Sequence, residues 1–316
     1  MSTYTRGDTP LHPQVAELLQ VMDAARSMRV LDATAQRAFD DVAAAAFNAN
    51  VPALRVEEEI AIPGPDGPMR ALVFAPKPRN GELRPVVLHL HGGGLVIFKP
   101  EATARVSKAI AMAADAVVVS LDYRLAPEHP YPAALDDCVA AYRWLRANAA
   151  SLGGDPTHVA IAGDSAGGNL AAVTPLRLIE MGEAPPDAVV LISAWLDLTM
   201  SSASSRRFGP NDPLIDDAAL SFWRGCYMPD ASRWAEPLLS PVNAGLSSYP
   251  PVCVVVGAID PFCDEDVQFA EKVRAAGGDA EAHRYDGMPH WFPVFPQTAD
   301  LTDYADRIGA FLRRVM

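Results

Sequence analysis

The chain has 316 residues and half of them are hydrophobic, which is enough for a large buried core. Its 26 Lys and Arg residues against 39 Asp and Glu give a net charge of −13, and no Lys/Arg cluster offsets this acidity. Such a chain should repel phosphate backbones and anionic lipid, so we expect neither nucleic acid nor a charged membrane surface as a partner.

The N-terminal sequence and the cysteine spacing bear on where the protein is located. The N-terminal sequence has no apolar run that fits a signal peptide, and no stretch approaches the roughly 18 apolar residues of a membrane span. The cysteines Cys138, Cys226, Cys253 and Cys263 are widely separated and fit neither a zinc site nor a disulfide framework. We therefore expect a cytoplasmic protein with reduced thiols and no membrane span.

The first fifty residues are predicted to be helical. Apolar residues recur there at helical spacing, and each apolar stripe should bury against another element. The two stripes are Val15, Leu18, Leu19 and Met22, then Phe39, Val42, Ala43, Ala46 and Phe47.

From residue 54 onward the sequence changes to short apolar runs. Two strands joined by a tight connection are predicted first, over 54–63 and 69–76. Apolar runs then alternate with helical stretches. The strands are predicted over 84–91, 116–123, 158–163, 188–193, 251–258 and 280–286, and the helices over 101–114, 132–150, 166–181 and 264–276, with a last helix at the C-terminus.

This alternation of Val/Ile runs with helices indicates an α/β fold with a mostly parallel central sheet and helices on both faces. It stops at 200–235, where only a short helical patch around 218–227 is predicted. We expect this cap insertion and the N-terminal cap helices (1–50) to sit together as a helical cap. The remaining segments, 51–199 and 236–316, would form the core.

A serine with flanking glycines lies between a predicted strand and a predicted helix. Gly163-Asp164-Ser165-Ala166-Gly167 has the G-x-S-x-G pattern of a nucleophile elbow, a sharp turn that lifts the serine oxygen above the sheet. A plain glycine-rich turn is the alternative, and a phosphate-binding loop would need a lysine that is absent here. The strand and helix on either side favour the elbow.

A run of three glycines follows another predicted strand. His91-Gly92-Gly93-Gly94 comes about 70 residues before the serine, at the edge where open α/β sheets place their sites. Ordering three glycines is costly, so the run suits a place where backbone N–H groups must point at a ligand. With the N–H of Ala166, this loop would form an oxyanion hole. A flexible connection is the weaker alternative.

The histidine that serves such a serine should follow it in the chain. Of seven histidines, only His283 and His290 come after Ser165. His283 lies inside a predicted strand, whereas His290 lies in the loop after it, so His290 is the predicted base. We expect structural roles for the others, His12, His89, His91, His129 and His158 included, with His91 bracing the glycine loop.

Taken together, the motifs strongly resemble the bacterial hormone-sensitive-lipase-like esterases, a family of α/β-hydrolases that cleave carboxylic esters. The resemblance spans roughly residues 50 to 316. It rests on HGGG at 91–94, DYRLAPEHPYPAALDD at 122–137, GDSAGGNLAA at 163–172, DPFCD at 260–264 and MPHWF at 288–292.

The resemblance implies Ser165 as nucleophile, Asp260 as acid and His290 as base. It implies the backbone N–H groups of Gly93, Gly94 and Ala166 as the oxyanion hole. It further implies a small-molecule ester substrate with short to medium acyl chains, no metal or organic cofactor, and a homodimer, since related enzymes are often dimers. Family members usually carry an aromatic after HGGG and a glycine a few residues on. This chain has Leu95 and Phe98 there, which bears on the pocket shape and not on the chemistry.

Two similar acidic stretches compete for the role of the acid. NDPLIDD (211–217) lies where the strand–helix alternation stops, so Asp212 is interpreted as a turn former and Asp216 or Asp217 as a helix cap. IDPFCDED (259–266) begins where a predicted buried strand ends, between Ser165 and His290. Asp260 is therefore the predicted acid, and the three acids at 264–266 should complement the dipole of the next helix.

Two other functions remain open. An amidase or acyltransferase would use the same residues, so the sequence does not exclude either. A non-catalytic small-molecule receptor on the same fold would be expected to lack part of the Ser-Asp-His set, and all three residues are present. Aromatic residues of the insertion, Trp223 and Trp234 among them, could line an apolar pocket, but ordinary packing is the better interpretation for any single one.

Overall fold

The structure is a computed structural model, and its core is a β-sheet covered by helices. It describes residues 5–6, 9–11, 13–26, 29–76, 81–295 and 303–316. His12 lies outside the described residues, and so does the side chain of Leu18 from the first predicted stripe.

Eight strands form one sheet, in the order β10-β9-β8-β7-β5-β6-β4-β3. β4 runs antiparallel to both β3 and β6, and the other neighbours are parallel. A separate pair, β1 (Thr5–Arg6) and β2 (Thr9–Pro10), precedes it. The strands of the large sheet are β3 (Val56–Gly64), β4 (Gly67–Ala75), β5 (Arg84–Leu90), β6 (Val117–Leu121), β7 (Gly154–Asp164), β8 (Val189–Ile192), β9 (Val252–Gly257) and β10 (Ala280–Tyr285).

Ten α-helices are described. They are α1 (Pro13–Arg26), α2 (Ala33–Arg37), α3 (Asp40–Phe47), α4 (Ala104–Ala114), α5 (Ala133–Asn148), α6 (Ala166–Glu180), α7 (Ala203–Phe208), α8 (Asp217–Tyr227), α9 (Cys263–Ala275) and α10 (Asp303–Val315). None of those described is long and apolar enough to cross a membrane.

The sheet is covered on both faces, as the continuous apolar runs predicted. Every residue of β6, β8 and β9 is buried. One face packs against α5, α6 and α9, through residues such as Leu145, Leu170 and Phe269. The other packs against α4 and α10, through Ile110 and Ile308 among others. The predicted α/β fold is thereby confirmed, with a core on each side of the sheet.

The second N-terminal stripe was predicted wrongly. Phe39 and Val42 are each 69% exposed, because the helical segment is interrupted before Asp40 and the buried face of α3 is a different one. That face contains Asp40 and Ala44, with Phe47 partly buried. In the first stripe Val15 and Leu19 are buried and Met22 is partly so.

The N-terminal helices and the insertion at 200–235 contact each other. Arg29 donates to Asp216 Oδ1 at 3.2 Å and to the Pro213 carbonyl at 2.9 Å. The indole N–H of Trp223 in α8 donates to Gln36 Oε1 in α2 at 2.9 Å. Both segments therefore meet over the same region, at the carboxyl ends of the parallel strands.

Candidate active site

Ser165 occupies the sharp turn that its sequence context predicts. β7 ends at Asp164 and α6 begins at Ala166, so the serine is the single residue between them, with φ 55° and ψ −121°. Its glycine neighbours are sterically required. A Cβ on Gly163 would lie 2.1 Å from the Gly167 carbonyl oxygen, and one on Gly167 would lie 2.1 Å from that of Leu90. Close backbone packing thus explains both glycines of the motif.

His290 and Asp260 converge on this serine from loops after β10 and β9. The His290 Nε2 lies 3.0 Å from Ser165 Oγ. On the other side of the ring, His290 Nδ1 lies 3.0 Å from Asp260 Oδ2 and 3.1 Å from Oδ1. The structure thus brings the three predicted residues, 125 and 30 positions apart in sequence, into one hydrogen-bonded chain.

The surroundings hold this chain in place. Asp260 is fully buried and His290 nearly so, while Ser165 keeps 6% of its surface exposed. The Phe262 N–H donates to Asp260 Oδ1 at 2.9 Å, which fixes the carboxylate. The Phe262 ring also packs edge-on against the imidazole, with 5.0 Å between centroids. A dry, fixed carboxylate can select one imidazole tautomer and stabilise its protonated form.

The glycine loop lies beside the serine. Gly93 and Gly94 have φ 114° and 61°, so both use backbone conformations that favour glycine. Their N–H groups donate to no acceptor within the part of the chain that the structure describes. Ala166 stands in the first turn of α6, where N–H groups lack intrahelical acceptors. Three backbone donors are thus available near Ser165.

Asp164 is a contributor that the sequence reasoning missed. It is fully buried, and its Oδ2 accepts the Gly92 N–H at 2.8 Å and the Trp291 indole N–H. Its Oδ1 lies 3.2 Å from His89 Nε2. One carboxylate therefore links the glycine loop to the segment that carries His290. An acid directly before the predicted nucleophile was the available signal.

His91 has the bracing place that was expected of it. Its ring stacks on Tyr123 with 4.3 Å between centroids, and the Tyr123 hydroxyl donates to the His91 carbonyl at 2.6 Å. His91 Nδ1 lies 2.7 Å from the Gly92 carbonyl oxygen. Burial lowers the pKa of His91, which favours a neutral ring. Such a ring can support the loop through hydrogen bonds.

The remaining histidines that the structure describes have other neighbours. His283 lies on β10, with Nε2 3.2 Å from Glu281 Oε2. His89 Nδ1 lies 3.0 Å from the Ser107 hydroxyl, and His158 Nδ1 lies 3.0 Å from Asp155 Oδ2. Asp212 and Asp216, from the similar acidic stretch 211–217, bond to backbone N–H groups of their own segment and not to His290. Asp212 caps the N–H groups of Leu214 and Ile215, and Asp216 is the N-cap of α8.

The acids after Asp260 do more than open a helix. They stand in the first turn of α9 as predicted, but Glu265 and Asp266 are buried and reach the loop after β8. Glu265 Oε1 accepts the N–H groups of Leu196 and Asp197, and Asp266 Oδ2 accepts that of Ala194 at 2.9 Å. Burial raises the pKa of both carboxyls well above the usual range.

A cavity of about 470 Å³ opens onto Ser165 and His290. That volume is in the range of small-molecule sites. Trp223 of the insertion lines this cavity. Trp234, the other tryptophan considered in the sequence, packs under the Arg224 guanidinium. The other lining residues are Met22, Arg26, Arg29, Val30, Ala35, Gln36, Phe39, Asp40, Ala43, Phe47, Gly93, Gly94, Ile97, Phe98, Pro213, Leu214, Ile215 and Trp291.

Comparisons with known proteins identify the family to which the chain is similar. A family model described as the alpha/beta hydrolase fold matches residues 87–294. Carboxylesterase NlhH of Mycobacterium tuberculosis (strain H37Rv) is 39% identical over 266 residues, which is 80% of this chain and 81% of that protein. An arylesterase of Saccharolobus solfataricus is 32% identical over 231 residues, 73% of this chain and 74% of that protein.

A solved structure gives the same result in three dimensions. The hyperthermophilic esterase from the archaeon Pyrobaculum calidifontis matches with a TM-score of 0.89 and 34% identity, over 97% of this chain and 99% of that one. The chain therefore belongs to the hormone-sensitive-lipase-like family of α/β-hydrolases and is a serine hydrolase.

Proposed function

We propose that this protein hydrolyses carboxylic esters with short to medium acyl chains, through a covalent acyl-serine intermediate. The observation that carries the proposal is the chain from Ser165 Oγ to His290 Nε2 at 3.0 Å and from His290 Nδ1 to Asp260 Oδ2 at 3.0 Å. A serine is a weak nucleophile until an adjacent base takes its proton, and this geometry supplies the base and its orienting acid.

In the proposed reaction His290 takes the Ser165 proton while the serine oxygen attacks the ester carbonyl. The oxygen of the tetrahedral intermediate accepts hydrogen bonds from the N–H groups of Gly93, Gly94 and Ala166. His290 then donates its proton to the leaving alcohol. Water, activated by the same imidazole, attacks the acyl-serine, and Ser165 recovers its proton as the acid leaves. Asp260 orients the imidazole and stabilises the imidazolium.

The oxyanion donors are proposed from their backbone geometry. Donors fixed where negative charge develops are worth about 3–4 kcal/mol of barrier each. A Cβ on Gly92 would lie 2.6 Å from Asp164 Oδ2, and one on Gly94 would lie 2.4 Å from the Trp223 ring. The loop is thus packed on both sides, which supports fixed rather than mobile donors.

The substrate class is proposed from the cavity and from the relatives. The cavity walls are mostly apolar side chains such as Met22, Val30, Phe39 and Leu214, which suit an acyl or alcohol chain. The names of the similar proteins, carboxylesterase and arylesterase, fit esters as substrates. A series of p-nitrophenyl esters of increasing acyl length tests the preference, and activity that still rises beyond about twelve carbons would contradict it.

Ser165→Ala tests the proposed nucleophile. The variant should lose turnover of a p-nitrophenyl ester and labelling by a fluorophosphonate while keeping the wild-type unfolding temperature, because it removes one oxygen without adding volume. Normal turnover by the folded variant would overturn the assignment. Matched ester and amide substrates for the wild type separate an esterase from an amidase with the same triad.

The proposal also covers the division of the chain into cap and core, its oligomeric state and its location. We propose residues 1–50 and 200–235 as the cap, and 51–199 with 236–316 as the catalytic core. The Arg29–Asp216 and Trp223–Gln36 contacts between the two cap segments support this division. A homodimer in the cytoplasm completes the proposal. Sedimentation equilibrium and cell fractionation test these two points.

A further inference from the structure

The loop from Gly93 to Phe98, named here the oxyanion loop, has an unusual backbone. Besides its two glycines, Leu95 and Phe98 have φ 65° and 70°. Leu and Phe carry a Cβ that disfavours this left-handed region, so such conformations persist only where the surroundings hold them. The contacts that hold these two residues therefore bear on the whole loop.

Arg37 of α2 makes the first of these contacts. Its Nε donates to the Val96 carbonyl at 2.7 Å, and its Nη2 donates to the Ala126 carbonyl at 2.7 Å. The Ala126 N–H in turn donates to the Leu95 carbonyl at 2.9 Å. One guanidinium thus closes a ring of hydrogen bonds around Leu95. The pair of Arg37 with Glu128, at 2.9 Å, orients the guanidinium.

Asp40 of α3 makes the second contact. Its Oδ2 accepts the Phe98 N–H at 2.9 Å, and its side chain is nearly buried. Its Oδ1 has no hydrogen-bond partner within the described chain. A buried carboxylate loses its hydration, so its remaining hydrogen bonds must offset that cost, and in the described chain the Phe98 N–H is the hydrogen-bond donor that Asp40 has. The bond fixes the far end of the oxyanion loop.

These contacts are coupled to the proposed oxyanion donors. Val96 and Ile97 donate their N–H groups to the Gly93 carbonyl at 3.0 and 2.9 Å. That carbonyl belongs to the same rigid peptide as the Gly94 N–H. If the 96–98 segment shifts, the Gly93–Gly94 peptide turns with it, and the Gly94 N–H moves relative to Ser165.

We propose that Arg37 and Asp40 are positioning residues for the oxyanion hole. The N-terminal helices then contribute to the stabilisation of the transition state as well as to the walls of the cavity. This inference rests on the proposed function, because it assumes that the Gly93 and Gly94 N–H groups bind an oxyanion.

The test uses the full-length protein and five variants. Arg37→Ala, Arg37→Lys and Asp40→Ala weaken or remove a contact, and Asp40→Asn keeps an amide oxygen that can accept the Phe98 N–H. Arg143→Gln is the matched control, since Arg143 lies on α5, is 45% exposed and pairs with Glu183 on the surface. The measurements are kcat and KM for p-nitrophenyl butyrate, the inhibition constant of a trifluoromethyl ketone, and the unfolding temperature.

The expected pattern is specific to loop positioning. Arg37→Ala and Asp40→Ala should lower kcat about ten- to a hundred-fold, as misplaced catalytic groups do. KM should stay within about threefold. The inhibition constant of the ketone, whose adduct bears an oxyanion, should rise by a similar factor to the loss in kcat. Asp40→Asn should recover most of the loss that Asp40→Ala causes, and Arg143→Gln should match the wild type.

Contrary results separate the two proposals. If wild type and Arg143→Gln are active while Arg37→Ala and Asp40→Ala keep kcat within twofold, or change KM alone, the positioning inference is wrong and the proposed function stands. Equal losses in Asp40→Asn and Asp40→Ala would also overturn it. If the alanine variants do not fold, Arg37→Lys decides, since a flexible ammonium lacks the fixed planar fork with which the guanidinium holds both carbonyls, and the variant should lower kcat several-fold. A wild type without ester turnover overturns both proposals.

Discussion

Replacing Asp260 by Asn perturbs one hydrogen bond to His290 while nearly preserving shape. Both carboxylate oxygens lie close to His290 Nδ1, at 3.0 and 3.1 Å, and Oδ1 also accepts the Phe262 N–H. An Asn carbonyl would keep the bond from Phe262, which leaves its NH₂ group at the Oδ2 position. That group can only donate to Nδ1, so the imidazole would carry its proton on Nε2.

The size of the effect follows from that tautomer. With a proton already on Nε2, His290 cannot accept the proton of Ser165 across the 3.0 Å contact. The substitution also removes the negative charge that stabilises the imidazolium. A loss of about 10⁴ in kcat is expected for this change in a serine triad, which corresponds to about 5.5 kcal/mol of barrier.

The assay is the turnover of p-nitrophenyl butyrate, with Asp212→Asn as the matched control. Asp212 belongs to the similar acidic stretch, and its Oδ1 accepts the N–H groups of Leu214 and Ile215, a role that an Asn oxygen can fill. Asp212→Asn should therefore stay within a few-fold of wild type. The reasoning is refuted if Asp260→Asn keeps more than a tenth of the wild-type rate, or if the two variants lose equally.

Two further predictions concern stability. Gly167→Ala would place a Cβ 2.1 Å from the Leu90 carbonyl oxygen and should destabilise the fold by about 1–3 kcal/mol in chemical denaturation, whereas Gly225→Ala in α8, with open space around it, should be neutral or stabilising. A Gly167→Ala variant as stable as wild type would contradict this. Burial raises the pKa of Asp266, so the folded state keeps that proton at pH values where the unfolded chain has lost it. The contribution of Asp266 to stability should therefore fall as pH rises above about 4, the pKa of an unperturbed Asp. An Asn at this position can still accept the Ala194 N–H. The unfolding temperature of Asp266→Asn should therefore rise relative to that of the wild type as pH increases. A constant difference between the two unfolding temperatures from pH 4 to 8 would contradict this.

Local sequence patterns predicted what depends on neighbours in the chain. The strand before Ser165, the helix after it and the tight turn between them all follow from a few adjacent residues, and the structure confirms the α/β fold built from such units. The structure also brings Ser165, His290 and Asp260 within hydrogen-bond distance, while their catalytic roles stay a prediction.

What the sequence did not predict depends on contacts between distant segments. Phe39 was assigned to a buried stripe, but it lies at the break before α3 and is 69% exposed, on the wall of the cavity. The bond from Arg37 to Val96 joins residues 59 positions apart, and no periodic pattern marks such a pair. Asp164 was missed for the same reason, because its partner Gly92 is 72 positions away.

The acidic stretch 259–266 shows how one short segment can serve several purposes. Its first acid, Asp260, lies beside His290, while Glu265 and Asp266 accept hydrogen bonds from the backbone after β8. The Ser165 N–H and carbonyl are bonded to that same region, to the Ile192 carbonyl at 2.9 Å and the Trp195 N–H at 2.9 Å. The stretch therefore contacts His290 directly and is linked to the nucleophile's turn through the segment after β8. Burial raises the pKa values of Glu265 and Asp266, which favours their neutral forms. A segment that looks like a dense anionic cluster can thus contain one acid beside the histidine and two buried carboxyls that act mainly as hydrogen-bond acceptors.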